Sequence, residues 1–298
     1  MAEIIQKDGT WTFDGDALRL TPGRDKSVSL LRRTLGELVV PLGALAGISF
    51  EQGKRAGRLR LRLRDGADPL LHATGGRLTE PNDPYQLLVE SDRYGVAEYF
   101  VDEVRNALLL AEVSPDPVTE YLLPGPPLPL SVSAGDGTAS FDGETVRLEW
   151  NWKTEDAKAA AGARTLALGD ITAVEWLPAA GLENGCLRLT VRNAPAKTPP
   201  KYDPNAVELW GFKKDPLMAL VAAAVQARLP HPSAPAADAV RDAVRTGQAG
   251  APGQLAPAAE NDHDALLRRL RELGELHRTG VLTEEEFTLA KQAILKRM

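Results

Sequence analysis

Leucine and arginine alternate strictly over 59–64: Leu59, Leu61 and Leu63 are interleaved with Arg60, Arg62 and Arg64. A period of two puts the leucines on one face of a strand and the arginines on the other, one face buried and one wet. Shorter strand-like runs are punctuated by turn chemistry. Phe13-Asp14-Gly15-Asp16 and Phe141-Asp142-Gly143-Glu144 each place Asp-Gly between such runs, the signature of a tight hairpin. The period changes over 92–112, where Val96, Tyr99, Phe100, Val104, Ala107 and Leu108 recur at helical spacing and predict an amphipathic helix. A second helix is predicted over 216–229, with Asp215 as N-cap ahead of Pro216.

These patterns occur twice. Asp8-Gly9-Thr10 through Phe13-Asp14-Gly15 reappears 128 positions later as Asp136-Gly137-Thr138 through Phe141-Asp142-Gly143. Leu59–Leu63 reappears as Leu187–Val191 at the same offset, and Asp83-Pro84 reappears as Asp203-Pro204. The order is kept, and each copy closes with a helix. The predicted fold class is therefore mainly β with α: two tandem small barrels of pleckstrin-homology-like type, each closed by a C-terminal helix, plus a C-terminal helical hairpin. A plain α+β sandwich is the alternative for each copy.

The expected boundaries are 1–113 for the first barrel domain and 136–229 for the second. A connector over 114–135 carries six prolines and apolar residues such as Tyr121 and Leu123, so it is expected to be stiff and to lie on the domains. Residues 230–261 are rich in Ala, Pro and Gly with hardly any large apolar side chain, a composition that cannot offset ordering entropy and reads as a flexible linker. Over 262–298, Leu266, Leu267, Leu270, Leu273 and Leu276 form one helical stripe, Gly280 stops it, and Thr283 with Glu286 makes a capping box before Phe287 and Ile294. Two helices this short lack a core of their own, so the stripe through Leu266, Leu270, Leu273, Leu276, Phe287 and Ile294 is expected to serve oligomerisation or docking on a partner; docking on the chain's own barrels is the alternative.

The string Gly280-Val281-Leu282-Thr283-Glu284-Glu285-Glu286-Phe287, with the preceding Leu267–Leu273 stretch, resembles the SHOCT (short C-terminal) domain, which implies attachment or oligomerisation of the module it follows. The body, through the Gly-Thr-x-x-Phe-Asp-Gly starts at Gly9 and Gly137 and the two Asp-Pro pairs, resembles domain of unknown function 4429, a family found in tandem in actinobacteria. That resemblance carries no activity and no catalytic residue.

Charge and chemistry sharpen the picture in one place only. Net charge is −6, which argues against nucleic acid as partner. One cysteine, Cys186, excludes a disulfide framework and reads as a small core residue. Glycine-rich phosphate loops, HExxH and GxSxG are all absent from the sequence. No catalytic residue, metal ligand or cofactor is expected, and the chain reads as non-enzymatic. Asp14, Asp16, Asp142 and Glu144 read as turn residues before cation ligands. Trp150 and Trp152 share one strand face with Leu148 and are expected in the core or an interface, and Trp176 in the core.

Over 19–64, eleven basic residues face three acids, while 65–112 carries ten acids and three basic residues. Arg58, Arg60, Arg62 and Arg64 form a ladder that would suit an anionic partner such as a membrane surface, unless acids sit opposite. The twin Arg32-Arg33 reads as solvated, nothing resembles a secretory leader, and no stretch reaches the roughly 18 apolar residues of a membrane span. A cytoplasmic scaffold or adaptor that binds a protein partner or itself is the expected function.

Overall fold

The computed structural model describes residues 1–192 and 198–234; the linker beyond 234 and the whole tail hairpin lie outside the described residues. The first repeat begins with β1 (Ala2–Ile5), β2 (Gly9–Phe13), β3 (Ala17–Pro22), helix α1 (Leu30–Leu35) and β4 (Leu38–Pro41). It continues with β5 (Leu45–Glu51), β6 (Ala56–Leu63), helix α2 (Pro69–Thr74), β7 (Gln86–Glu90) and helix α3 (Tyr94–Leu110). The second repeat runs β8 (Leu130–Ala134), β9 (Gly137–Phe141), β10 (Thr145–Trp150), α4 (Asp156–Ala160), β11 (Arg164–Ala167), β12 (Ile171–Leu177), β13 (Gly185–Val191), β14 (Ala206–Leu209) and α5 (Met218–Gln226).

Each repeat is a four-stranded and a three-stranded antiparallel sheet, ordered β1-β2-β3-β4 with β5-β6-β7, and β8-β9-β10-β11 with β12-β13-β14. The expected closed barrel does not form. Pro41, which has no N–H to donate, ends β4, and a 3-10 turn (Leu42–Ala44) turns the chain into the second sheet. At the other seam the β1–β2 turn meets β7 through side chains. The Gln6 side-chain oxygen accepts from Glu90 N–H at 3.1 Å, and an Asp8 carboxylate oxygen accepts from Leu88 N–H at 3.2 Å. In the second repeat Asp136 accepts from Glu208 N–H at 2.8 Å and its own N–H donates to the Glu208 carbonyl. Edge groups that a barrel would pair by a continuous ladder are thus satisfied by one loop.

The hairpin turns come out as expected. Asp14 accepts from the N–H groups of Asp16 and Ala17, and Asp142 from those of Glu144 and Thr145. Those donors hold the Asp142 carboxyl down to about 2. Gly15 and Gly143 take φ of +112° and +114° in the turns, angles that strain any residue with a Cβ.

In each repeat a cation from the short helix pairs with the aspartate of that seam. Arg32 of α1 contacts Asp8 at 2.8 Å, and Lys158 of α4 contacts Asp136 at 2.6 Å, also donating to the Pro200 carbonyl. Lys158 and Asp136 are fully buried and the ammonium lies over the Trp150 ring. Burial pushes the Asp136 carboxyl above its ordinary value, against the pull of Lys158 and the Glu208 N–H.

The closing helices differ. Helix α3 is amphipathic: Ala97, Phe100, Val101 and Val104 are buried against β1 and β5, while Tyr99, Leu109 and Leu110 face solvent. Helix α5, Met-Ala-Leu-Val-Ala-Ala-Ala-Val-Gln, is buried at all nine positions. One side packs on β8, β9 and β12, and the other is covered by α2 of the first repeat. Leu31 of α1, Leu70 and Ala73 of α2, and Leu78 accordingly belong to the second repeat's core cluster. The expected cap is also corrected. Asp215 does not cap forward into α5; it is buried, and one oxygen accepts from the N–H groups of Trp210, Gly211 and Phe212 behind it.

Two outcomes test this packing. Residues 1–235 should unfold in one cooperative transition by calorimetry, two separated transitions being the contrary result. Lys158→Met leaves a buried carboxylate unpaired and should cost about 3–5 kcal/mol near neutral pH. The folded variant then holds the Asp136 proton more tightly than its unfolded chain does, so its deficit in denaturant melts should shrink as pH is lowered.

Candidate functional site

Strand β6 is exposed and buried at alternate positions, with Leu59, Leu61 and Leu63 inward and Arg58, Arg60 and Arg62 outward. Arg64 follows at its end. The register sets what lies opposite each arginine: Arg58 faces Glu51 and Leu88, Arg60 faces Ser49 and Gln86, and Arg62 faces Gly47. Arg58 also pairs with Glu80 at 3.0 Å. Arg64 turns back to the fold, donating to the Gly43 carbonyl at 2.9 Å and the Asp116 carbonyl at 2.8 Å.

The second repeat separates general from particular roles. Arg192, the counterpart of Arg64, donates to the Gly169 carbonyl, the counterpart of Gly43, at 3.4 Å. This arginine supports the 3-10 turn in both repeats. Arg188, the counterpart of Arg60, contacts Asp203 at 3.4 Å. Burial raises the pKa of Asp83, the counterpart of Asp203, against the Tyr85 N–H, the Gln86 side chain and the charges of Arg32 and Arg60. Cys186 and Thr190 replace Arg58 and Arg62, and Cys186 is buried. Of the four arginines, Arg62 is exposed with no acid across from it.

Beside this face lies a cleft of about 390 Å³, lined by Lys7, Asp8, Arg32, Glu80, Asp83 and Glu90 among others. Its carboxylates outnumber its cations, so it does not extend the basic face as an anion funnel.

The junction of the repeats holds a cluster that the sequence pattern did not disclose. The Tyr121 hydroxyl is 2.6 Å from His72 Nδ1 and accepts from the Gln226 side chain at 2.8 Å. The His231 ring packs edge-on to Tyr121, with centroids 4.7 Å apart, and its Nε2 lies 3.0 Å from the Gly66 carbonyl. Desolvation, and secondarily the charge of His231, lower the His72 pKa. Asp68, the N-cap of α2, is buried and accepts from the Tyr85 hydroxyl at 2.7 Å; burial raises its pKa. The connector is pinned to the first repeat by Val118 N–H to the Asp65 carbonyl and by Leu122 and Leu123 N–H to the Ala67 carbonyl. It lies on the domains, as its apolar residues predict. Among the described residues no three His, Cys, Asp or Glu side chains gather as a metal site, and no helix is long and apolar enough to cross a membrane. Leu266, Leu270, Leu273, Leu276, Phe287 and Ile294 lie outside the described residues.

Fold and face together define a duplicated two-sheet domain whose copies each have a core, with α1 and α2 of the first packed into that of the second. The sequence profile of the family described as "Domain of unknown function (DUF4429)" matches twice, over 11–105 and 139–226. The two matches cover more than half of the chain, which belongs to that family. No curated protein matches it.

Tyr121→Phe removes the hydroxyl shared by His72 and Gln226. It should cost about 1–3 kcal/mol in denaturant melts, because the buried Gln226 amide loses its acceptor. An unchanged midpoint would show that the cluster is incidental to the junction.

Proposed function

We propose that the chain is a non-enzymatic scaffold or adaptor: a rigid pair of binding modules that displays fixed surfaces and is assembled through its tail. The observation that carries this reading is the packing of α2 of the first repeat into the core of the second. Because α2 of one repeat covers α5 of the other, the repeats are held as one body and present their outer faces at a constant spacing. An enzyme has no comparable support, since the polar clusters described are ion pairs, caps and the hydrogen-bonded His72, Tyr121 and Gln226 group at the junction, all engaged within the fold. The four-plus-three strand repeat with its closing helix supports a pleckstrin-homology-like module, a design that offers its loops and sheet edges to partners.

The SHOCT-like tail over 262–298 supplies the assembly step in this reading, making a cytoplasmic homo-oligomer or docking on another protein. Arraying the bodies would strengthen weak contacts through effective concentration. Light scattering on the full chain and on a version ending at Glu260 tests it. A defined multimer that becomes monomeric on truncation is expected. Equal masses together with unchanged partner capture would refute the role given to the tail.

A second reading uses the basic face of the first repeat, now narrowed to Arg60 and Arg62, for an anionic partner. Arg62→Glu should then weaken salt-sensitive binding to an anionic surface, whereas Arg64→Glu should lower stability by loss of its carbonyl contacts. Identical binding by the Arg62 variant would dismiss this face.

A further inference from the structure

Three loops meet at one end of the second repeat. They are 151–155 after β10, 178–184 between β12 and β13, and 210–214 after β14. Gly185 pairs with Leu209, which brings the second and third together, and a Cβ on Gly211 would sit 3.6 Å from the Ala179 methyl. Lys153 joins the first to the third: its ammonium lies 5.5 Å from the Trp152 ring centroid, 5.2 Å from that of Trp210 and 5.4 Å from that of Phe212.

These side chains are not core. Trp152 is 88% exposed and Phe212 57%, Leu182 stands wholly in solvent, and Lys213 and Lys214 are exposed beside them. The expectation that Trp152 is a core or interface residue on the strand is corrected on the first count: β10 ends at Trp150, whose indole N–H donates to the Gly162 carbonyl, and Trp152 lies beyond it. The loops are held rigidly from below. Asp215 collects three N–H groups of 210–212, and Asn151 bonds the Gly135 carbonyl and the Lys153 N–H.

The first repeat is an internal control. It builds the same end of the same fold with Arg24 and Asp25 in place of Trp152 and Lys153, Lys54 in place of Leu182, and Glu90 and Asp92 in place of Trp210 and Phe212. The aromatic residue that the first repeat does keep there, Tyr94, is part-buried, donating to the Gly53 carbonyl at 2.8 Å and packing edge-on to Phe50, so exposed rings are particular to the second repeat. Exposed indole and phenyl rings with an aliphatic tip, on loops where Lys153, Lys213 and Lys214 outnumber Glu155 and Glu183, have the chemistry of the boundary between lipid headgroups and acyl chains. Lysines add attraction to anionic headgroups.

We infer that this end of the second repeat is an interfacial anchor for an anionic lipid surface: Trp152, Phe212 and Leu182 enter the headgroup layer, and Lys153, Lys213 and Lys214 pair with lipid phosphates. This site is separate from the arginine ladder of the first repeat, and its membrane contact is made by loop tips. A protein groove is the competing occupant. The exposure of the rings and the excess of lysines over Glu155 and Glu183 on these loops favour the lipid.

The test is flotation of the full chain with vesicles of phosphatidylcholine alone and of phosphatidylcholine with phosphatidylglycerol. Binding to the anionic vesicles only, reduced by high salt, is expected. Trp152→Ala with Phe212→Ala should weaken it about tenfold or more, as should Lys213→Glu with Lys214→Glu, with melting midpoints unchanged because all four side chains are exposed. Arg60→Glu with Arg62→Glu should leave it intact. Quenching of tryptophan fluorescence by brominated lipid should fall when Trp152 is replaced. No flotation of the unaltered chain, full flotation of both patch variants, or loss only with the Arg60 and Arg62 variant would overturn the proposal. So would a multimer that dissociates when Trp152 and Phe212 are replaced, since the patch would then be a protein interface.

Discussion

The structure hangs on one helix that has no polar side. Met218–Gln226 presents methyl and larger apolar groups around its whole circumference until Gln226, so no orientation lets it rest on a sheet and face water. Burying one side on β8, β9 and β12 would leave the other exposed at a cost of about 25 cal/mol for every Å² of apolar surface. The first repeat supplies the cover. Helix α2 is inserted between β6 and β7, and Leu70 and Ala73 complete the second repeat's core, while the first repeat keeps a core of its own. Small residues at the end of α5 and just beyond it let the connector approach closely as well: a Cβ added to Gly125 would lie 2.5 Å from the methyl of Ala227, the residue after the helix. A duplication that might have yielded two beads on a string has become one body.

Around that junction each repeat solves the same local problem in the same way. Two sheets with free edges must be joined where the β1–β2 turn passes β7. An aspartate at the turn accepts from the opposite edge strand, and a cation on the short helix neutralises it in a buried setting. The cation is an arginine in one copy and a lysine in the other, so charge has been kept while donor geometry has changed. What has diverged is the surface. The first repeat carries arginines on β6, and the second carries rings and lysines on its loop tips. A fixed body with two unlike faces is the physical basis for the scaffold reading and for the lipid anchor alike.

Much of this was legible in the chain. The alternation of Leu59, Leu61 and Leu63 with arginines gave β6 its buried face; the Asp-Gly pairs gave the hairpins; the spacing from Val96 to Leu108 gave α3. The duplication followed from repeated motifs. A further signal was present in the offset between copies, which falls from 128 at Leu59 to 120 at Asp83. That drop marks an eight-residue insertion, and the insertion holds α2. Uniform hydrophobicity over 218–226 likewise marks a helix with a second partner.

The sequence alone determined strand faces, turns and the two copies, because these depend on interactions between residues a few positions apart. Only the tertiary structure decided which arginine of the ladder serves the fold, because Gly43, Glu80 and Asp116 reach Arg64 and Arg58 from distant segments. It alone brought His72, Tyr121, Gln226 and His231 to one point and moved Trp152 from an expected strand face to an exposed loop tip. It also left each pair of sheets unclosed, because aspartate side chains, with one backbone bond between Asp136 and Glu208 in the second repeat, stand where a continuous ladder would run. Periodicity records which face of an element is buried; which element does the burying is settled by long-range packing.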